Sequence, residues 1–206
     1  MTEYLLDTNA YFNVLNVLAK PEQYQTPTEA AIISSLTSTK MYISTVTKVE
    51  IISVLGKYAR GSGGCEKCTR IISQDGSRCA NTYYLSVHHK MKNRRIRAWK
   101  KLISDTTTGK GPINFDLLPF DEKTIVEAQK IIEHALVYSF ASMDALIAAT
   151  ASIANMDGHN MTVITSDHSL LACLAKCNIP YWDAFASRNQ TANTQQADLE
   201  RTFTMR

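Results

Sequence analysis

The chain has 206 residues, enough for one well-cored domain with an insertion and short for two independent domains. Hydrophobic residues make up 45%, charged residues 20% and the net charge is +3, which is ordinary for a soluble globular protein. No apolar run reaches the ~18 residues of a membrane span and no basic n-region leads into an apolar stretch, so we expect a cytoplasmic protein whose five cysteines are reduced or metal-bound.

Tyr4–Leu6 reads as a short buried strand that runs straight into Asp7. Asn9–Lys20 follows as a helix, with Phe12, Leu15 and Leu18 at helical spacing, and 21–26 is a break. Pro27–Lys40 is a second helix, with Ala30, Ile33 and Leu36 on one face and Thr26 placed to cap it ahead of Pro27. Met41–Ser44 is a second strand, and Val46–Arg60 a third helix with Val49, Ile52, Leu55 and Ala59 on one side. The character then changes: Gly61–Gly64 is a flexible break, and from Cys65 to about Gly111 the chain is polar, cysteine-bearing and basic. We read 61–114 as an insertion into a domain that resumes at Phe115. Leu117–Phe120 is a strand, Asp121 caps a helix through about Leu136, and Ser142 caps another through about Asn155. Met161–Thr165 is a further buried strand, His168–Lys176 a helix and Ile179–Trp182 a last strand, and the tail from Arg188 is polar. Strands alternating with helices predict an α/β fold, a parallel sheet with helices on both faces.

In open parallel sheets ligands bind outside the carboxyl ends of the strands. Asp7 ends the first strand, Glu50 lies in the first turns of the helix after the second, Asp144 in the first turn of the helix from Ser142, and Asp167 two residues past the strand ending at Thr165. Four acids distant in sequence are thus predicted at one sheet edge. Close carboxylates repel, so either some protonate or a cation joins them, and an all-oxygen set suits Mg2+ or Mn2+. Each acid also has a plain structural reading. Thr47–Glu50 spells a capping box, Asp144 meets a helix dipole, and Asp167 or Asp7 can cap the helix that follows it. Their joint placement is what singles them out.

The segments "LLDTNAYFNVL", "ISTVTKVEI", "SMDALIAATA" and "VITSD" resemble, in order, the four acidic motifs of PIN-domain ribonucleases, of which the VapC-type toxins are small bacterial members. The resemblance covers 1–60 and about 115–185. It implies a compact three-layer α/β/α fold around a central parallel sheet and metal-dependent cleavage of RNA. It implies that Asp7, Glu50, Asp144 and Asp167 hold one or two Mg2+ or Mn2+ ions, with Thr8, Asn9 and Thr165 as supporting polar residues. Residues 1–187 would form the domain and 188–206 a disordered tail. A homodimer, with the helices from Pro27 and Val46 as candidate contacts, and a cognate antitoxin protein are implied as partners, besides the RNA substrate.

Within the insertion, Cys65, Cys68, Cys79 and one of His88 or His89 offer three thiolates and an imidazole for structural Zn2+, although a second CxxC is missing; a flexible loop with unligated thiols is the alternative. Cys173 and Cys177 are read as core residues. The block Lys90–Lys101 carries Lys90, Lys92, Arg94, Arg95, Arg97, Lys100 and Lys101 and no acid, a composition that attracts phosphate backbones. Trp99 either stacks a base or, with Ile96, anchors a helix whose outer face is basic. Three functions compete: a metal-dependent endoribonuclease, the toxin of a type II toxin–antitoxin pair; a non-catalytic RNA-binding protein with a vestigial site; and a structure-specific DNA nuclease of related fold. The presence of all four acids favours the first over the second.

Overall fold

A computed structural model describes residues 2–19, 25, 27–60, 91–138 and 140–183. Five strands, β1 (Glu3–Leu6), β2 (Lys40–Ser44), β3 (Phe115–Leu118), β4 (Met161–Ile164) and β5 (Tyr181–Trp182), form one sheet in the order β3-β2-β1-β4-β5. Every pairing is parallel, and Glu3 sits opposite Lys40 on one side and Met161 on the other. The helices are α1 (Thr8–Leu18), α2 (Pro27–Thr37), α3 (Thr45–Arg60), α4 (Asn93–Thr107), α5 (Glu122–Ile132), α6 (Ser142–Met156) and α7 (His168–Lys176). A 3-10 turn, Glu133–Leu136, extends α5. Among the described residues no helix is long and apolar enough to cross a membrane.

The central strand shows why the predicted three-layer arrangement forms. Leu5 and Leu6 are both fully buried, but they point to opposite faces of the sheet. Leu5 joins a core with Val163 and residues of α5, α6 and α7, including Ile131, Ala148 and Leu174. Leu6 joins a second core with Ile43 of β2 and with Ala10, Leu15, Ile51, Leu55 and Trp99 from the helices on the other face. A strand covered on both sides reads as a continuous apolar run rather than an alternating one, as "YLL" does. Small residues on α6, Ala145, Ala148, Ala149 and Ala151, bring that helix close to the sheet.

Several boundaries move for identifiable reasons. α2 stops at Thr37 because the Thr39 backbone N–H bonds back to the Leu36 carbonyl and Lys40 enters the ladder opposite Glu3. β3 begins at Phe115, which is buried against Met41, whereas Phe120 is exposed. β5 begins only at Tyr181, since Ile179 N–H is used by the carbonyl of Leu174 at the end of α7. The helix from Ser142 is preceded by Ala141 at the capping position, not capped by Ser142 itself. Cys173 is buried and Cys177 packs against the same core, as expected, and burial pushes the Cys173 thiol up to about 12.

The second half of 61–114 belongs to the core. Trp99, Ile103 and Ile113 are buried with Phe115 and Tyr11. The Trp99 ring packs on Phe12 with centroids 5.0 Å apart, and the hydroxyls of Tyr11 and Thr106 are 2.8 Å apart. Trp99 is 1% exposed, so it cannot stack a base; of its two readings, the anchor is the one realised. Gly111 closes the turn from α4 to β3, where any Cβ would lie 2.9 Å from the Ile113 carbonyl oxygen.

Candidate metal centre

β1 lies where the strand order reverses, with β2 on one side and β4 on the other, and in open parallel sheets the carboxyl ends of the strands at that point are where ligands bind. Asp7 is the first residue beyond β1. Its N–H continues the ladder to the Ile164 carbonyl at 3.0 Å, and its side chain turns in to cap α1, Oδ1 accepting from Ala10 N–H at 2.5 Å. Oδ2 accepts from the Thr165 hydroxyl. The residue is 2% exposed. Burial pushes its carboxyl up to about 7; the bonds from Thr165 and Ala10 pull it down, and the charges of Asp144 and Asp167 push it up again.

The other three acids come from separate elements. Glu50 is in the second turn of α3, where its Oε2 accepts from the Thr8 hydroxyl at 2.5 Å. The capping box is not formed: the Thr47 N–H goes to Ser44 Oγ at 3.0 Å, and the Thr47 hydroxyl to the Leu6 carbonyl at 3.3 Å. Asp144, half-buried in the first turn of α6, accepts from Ala141 N–H at 2.9 Å. Its carboxyl is raised by burial, against the Ala141 bond, and further by Asp167 and Glu50. Asp167 caps α7, with Ser169 and Leu170 N–H groups at 2.8 and 3.0 Å, both on Oδ1. Its own N–H donates to Thr165 Oγ1 at 3.1 Å. Thr8 and Thr165 are buried beside the acids they hold, while Asn9 is exposed.

Asp7 therefore shares an electrostatic neighbourhood with Asp144 and Asp167, and Asp144 with Asp167 and Glu50. No ion pair joins any of the four to a described basic residue. Among the described residues, no three His, Cys, Asp or Glu side chains are drawn together tightly enough to make a ready ligand set. The donors at this edge are all carboxylate oxygen, the chemistry that fits a hard divalent cation. A fifth acid, Asp183, follows β5 at the same edge and accepts from the Ser166 hydroxyl at 2.6 Å. Sequence reasoning passed over it; its position directly after a strand was the available signal.

α4 presents Lys92, Arg94, Arg95, Arg97, Lys100 and Lys101 on its exposed side, and Lys101 pairs with Asp105. Thr106 of α4 meets Tyr11 of α1, and Arg95, Ala98, Lys101 and Asp105 line a groove with Leu18 and Ala19 from the end of α1. Lys90 and the cysteine and histidine candidates Cys65, Cys68, Cys79, His88 and His89 lie outside the described residues.

The sequence profile of the PIN domain matches residues 4–173. The chain belongs to the PIN domain family. Among solved structures, FitAcB from Neisseria gonorrhoeae superposes on this PIN domain with a TM-score of 0.53 at 18% identity, over 89% of this chain and 99% of that one. FitAB bound to an IR36 DNA fragment gives 0.48 at 21% identity, over 87% and 93%. VapBC2 from Rickettsia felis, bound to a DNA fragment from their promoter, gives 0.46 at 16% identity, over 88% and 99%. No curated protein sequence matches the chain. All four acids of this PIN domain fall within the matched span, and Asp183 falls beyond it.

Proposed function

We propose that this PIN domain is a divalent-metal-dependent endoribonuclease and the toxin of a type II toxin–antitoxin pair. The observation that carries the reading is the gathering of Asp7, Glu50, Asp144 and Asp167 from four separate elements at one sheet edge, without a described basic partner. These four carboxylates would hold Mg2+ or Mn2+. When bound, such an ion lowers the pKa of a water for attack and offsets the charge that builds on the scissile phosphate. The chain's own contribution is placement. Thr165 and Ala10 fix both oxygens of Asp7, and Thr8 fixes Glu50, so the carboxylates are oriented before substrate arrives. The exposed cations of α4 give RNA a phosphate-binding face.

The toxin reading is supported by the likeness of the four acidic segments to VapC-type toxins. With it come an antitoxin protein as partner and cytoplasmic action. A homodimer is proposed through α2 and α3, where Val49 and Ile52, one turn apart, are 63% and 48% exposed. Residues 1–187 are proposed as the working domain and 188–206 as a tail.

The test is cleavage of end-labelled RNA and of matched DNA with Mg2+ or Mn2+, then with a chelator. RNA cleavage that needs metal and is lost in Asp7→Asn supports the proposal. Preferential cleavage of DNA favours the DNA-nuclease alternative, and RNA binding without cleavage favours the vestigial-site one. Full activity with chelator present overturns the metal mechanism.

A further inference from the structure

The β4–β5 ladder is very short. It pairs Val163 with Tyr181 and Ile164 with Trp182, and a last backbone bond runs from Thr165 N–H to the Trp182 carbonyl at 3.2 Å. Past that point the connection is made by side chains: the Ser166 hydroxyl donates to Asp183 Oδ1 at 2.6 Å, in a partly buried setting. Ser166 lies between two residues that build the acidic edge. Thr165 donates to Asp7 Oδ2 and accepts the N–H of Asp167 at 3.1 Å. One bond from the end of β5 therefore pins the middle of a three-residue turn whose two ends set two of the four carboxylates.

We infer that Asp183 is a positioning residue of the metal centre, acting through Ser166 on the turn that carries Thr165 and Asp167. The inference rests on the metal-site reading given above. Asp183 lies beyond the family match, which ends at residue 173. Its role differs from that of a ligand: what matters is an acceptor oxygen at the Ser166 hydroxyl, not a negative charge. Partners hydrogen-bonded directly to a ligand typically change metal affinity 10- to 100-fold when lost, and Asp183, which reaches the ligands through the turn at Ser166, belongs at the low end.

The experiment is titration of the full-length chain with Mn2+ by calorimetry, without RNA, beside thermal unfolding with and without Mn2+. Ser166→Ala and Asp183→Ala are each expected to weaken Mn2+ binding about 10-fold. The double variant should be no weaker than Asp183→Ala alone, because that substitution already removes the Ser166 bond. Asp183→Asn keeps an acceptor oxygen and should bind Mn2+ nearly as the wild type does; it also serves if the alanine variant does not fold. Wild-type affinity in Ser166→Ala or Asp183→Ala overturns the inference. So does an Asp183→Asn variant as weak as Asp183→Ala, which would mean that the charge and not the acceptor oxygen matters. Absence of Mn2+ binding in the wild type overturns the metal reading. Binding that is lost in Asp7→Asn but untouched in Asp183→Ala overturns this inference alone.

Discussion

The hydroxyl of Thr165 donates to Oδ2 of Asp7, joining the ends of β4 and β1 across 158 positions of sequence. With the Ala10 N–H on Oδ1, it favours the charged carboxylate against the burial that disfavours it. Thr165→Val keeps the shape and removes the donor. The Asp7 carboxyl should then titrate above its present value of about 7, and the acidic limb of the pH–rate profile should move to higher pH. An unmoved limb would mean that another group titrates there.

Asp7 also makes stability depend on pH. Its folded value of about 7 exceeds the unfolded 3.8, so its contribution to stability is fully present below about pH 4 and is lost as pH rises through 7. The loss across that window is about 4 kcal/mol at ~1.36 kcal/mol per unit. In chelator, the wild type should therefore be less stable at pH 8 than at pH 5, and Asp7→Asn should lack that part of the slope. Urea unfolding of both proteins at the two values checks this. A wild-type slope unchanged by the substitution would contradict the burial argument.

Trp99 should behave as a core residue. Trp99→Ala is expected to cost about 3–5 kcal/mol, whereas Lys100→Ala, on the exposed side of α4, should change stability by less than about 0.5 kcal/mol. The indole N–H is buried without a hydrogen-bond partner, so Trp99→Phe, which removes that donor, should cost clearly less than Trp99→Ala. Equilibrium urea unfolding decides it; a near-neutral Trp99→Ala would place the ring outside the core.

Much of this was readable from residue order. The strand–helix rhythm and the four acids follow from "YLL" before Asp7 and "MTVIT" before Asp167, because a parallel sheet puts every strand's carboxyl end on one edge. The anchored basic helix was legible too; what composition hid was how deeply α4 sits in the core. Seven basic residues within twelve positions mark a solvated segment, yet one tryptophan and one isoleucine a turn apart, Trp99 and Ile103, suffice to seat it in the core. Asp183 was hidden for another reason. The strand Ile179–Trp182 was read directly before it, but the resemblance stops at four acids and Asp183 is not among them. The Thr47–Glu50 capping box failed because Ser44, one turn earlier, takes the amide that Thr47 would otherwise leave to its own helix.

Replacing Arg94, Arg95 and Arg97 together with glutamine should weaken RNA binding and lower the slope of log K against log salt by about 2, at ~0.7 per phosphate for a single strand. Stability and Mn2+ binding should be unchanged, since all three side chains are exposed. Filter binding at several salt concentrations measures it. An unaltered slope would remove α4 from the RNA path.

α1 ties two of the acids to one helix start: Asp7 caps it, and its first residue, Thr8, donates to Glu50 of α3. A small displacement of that helix would therefore carry both carboxylates with it. Two acids 43 positions apart in the sequence would respond to such a movement as one unit.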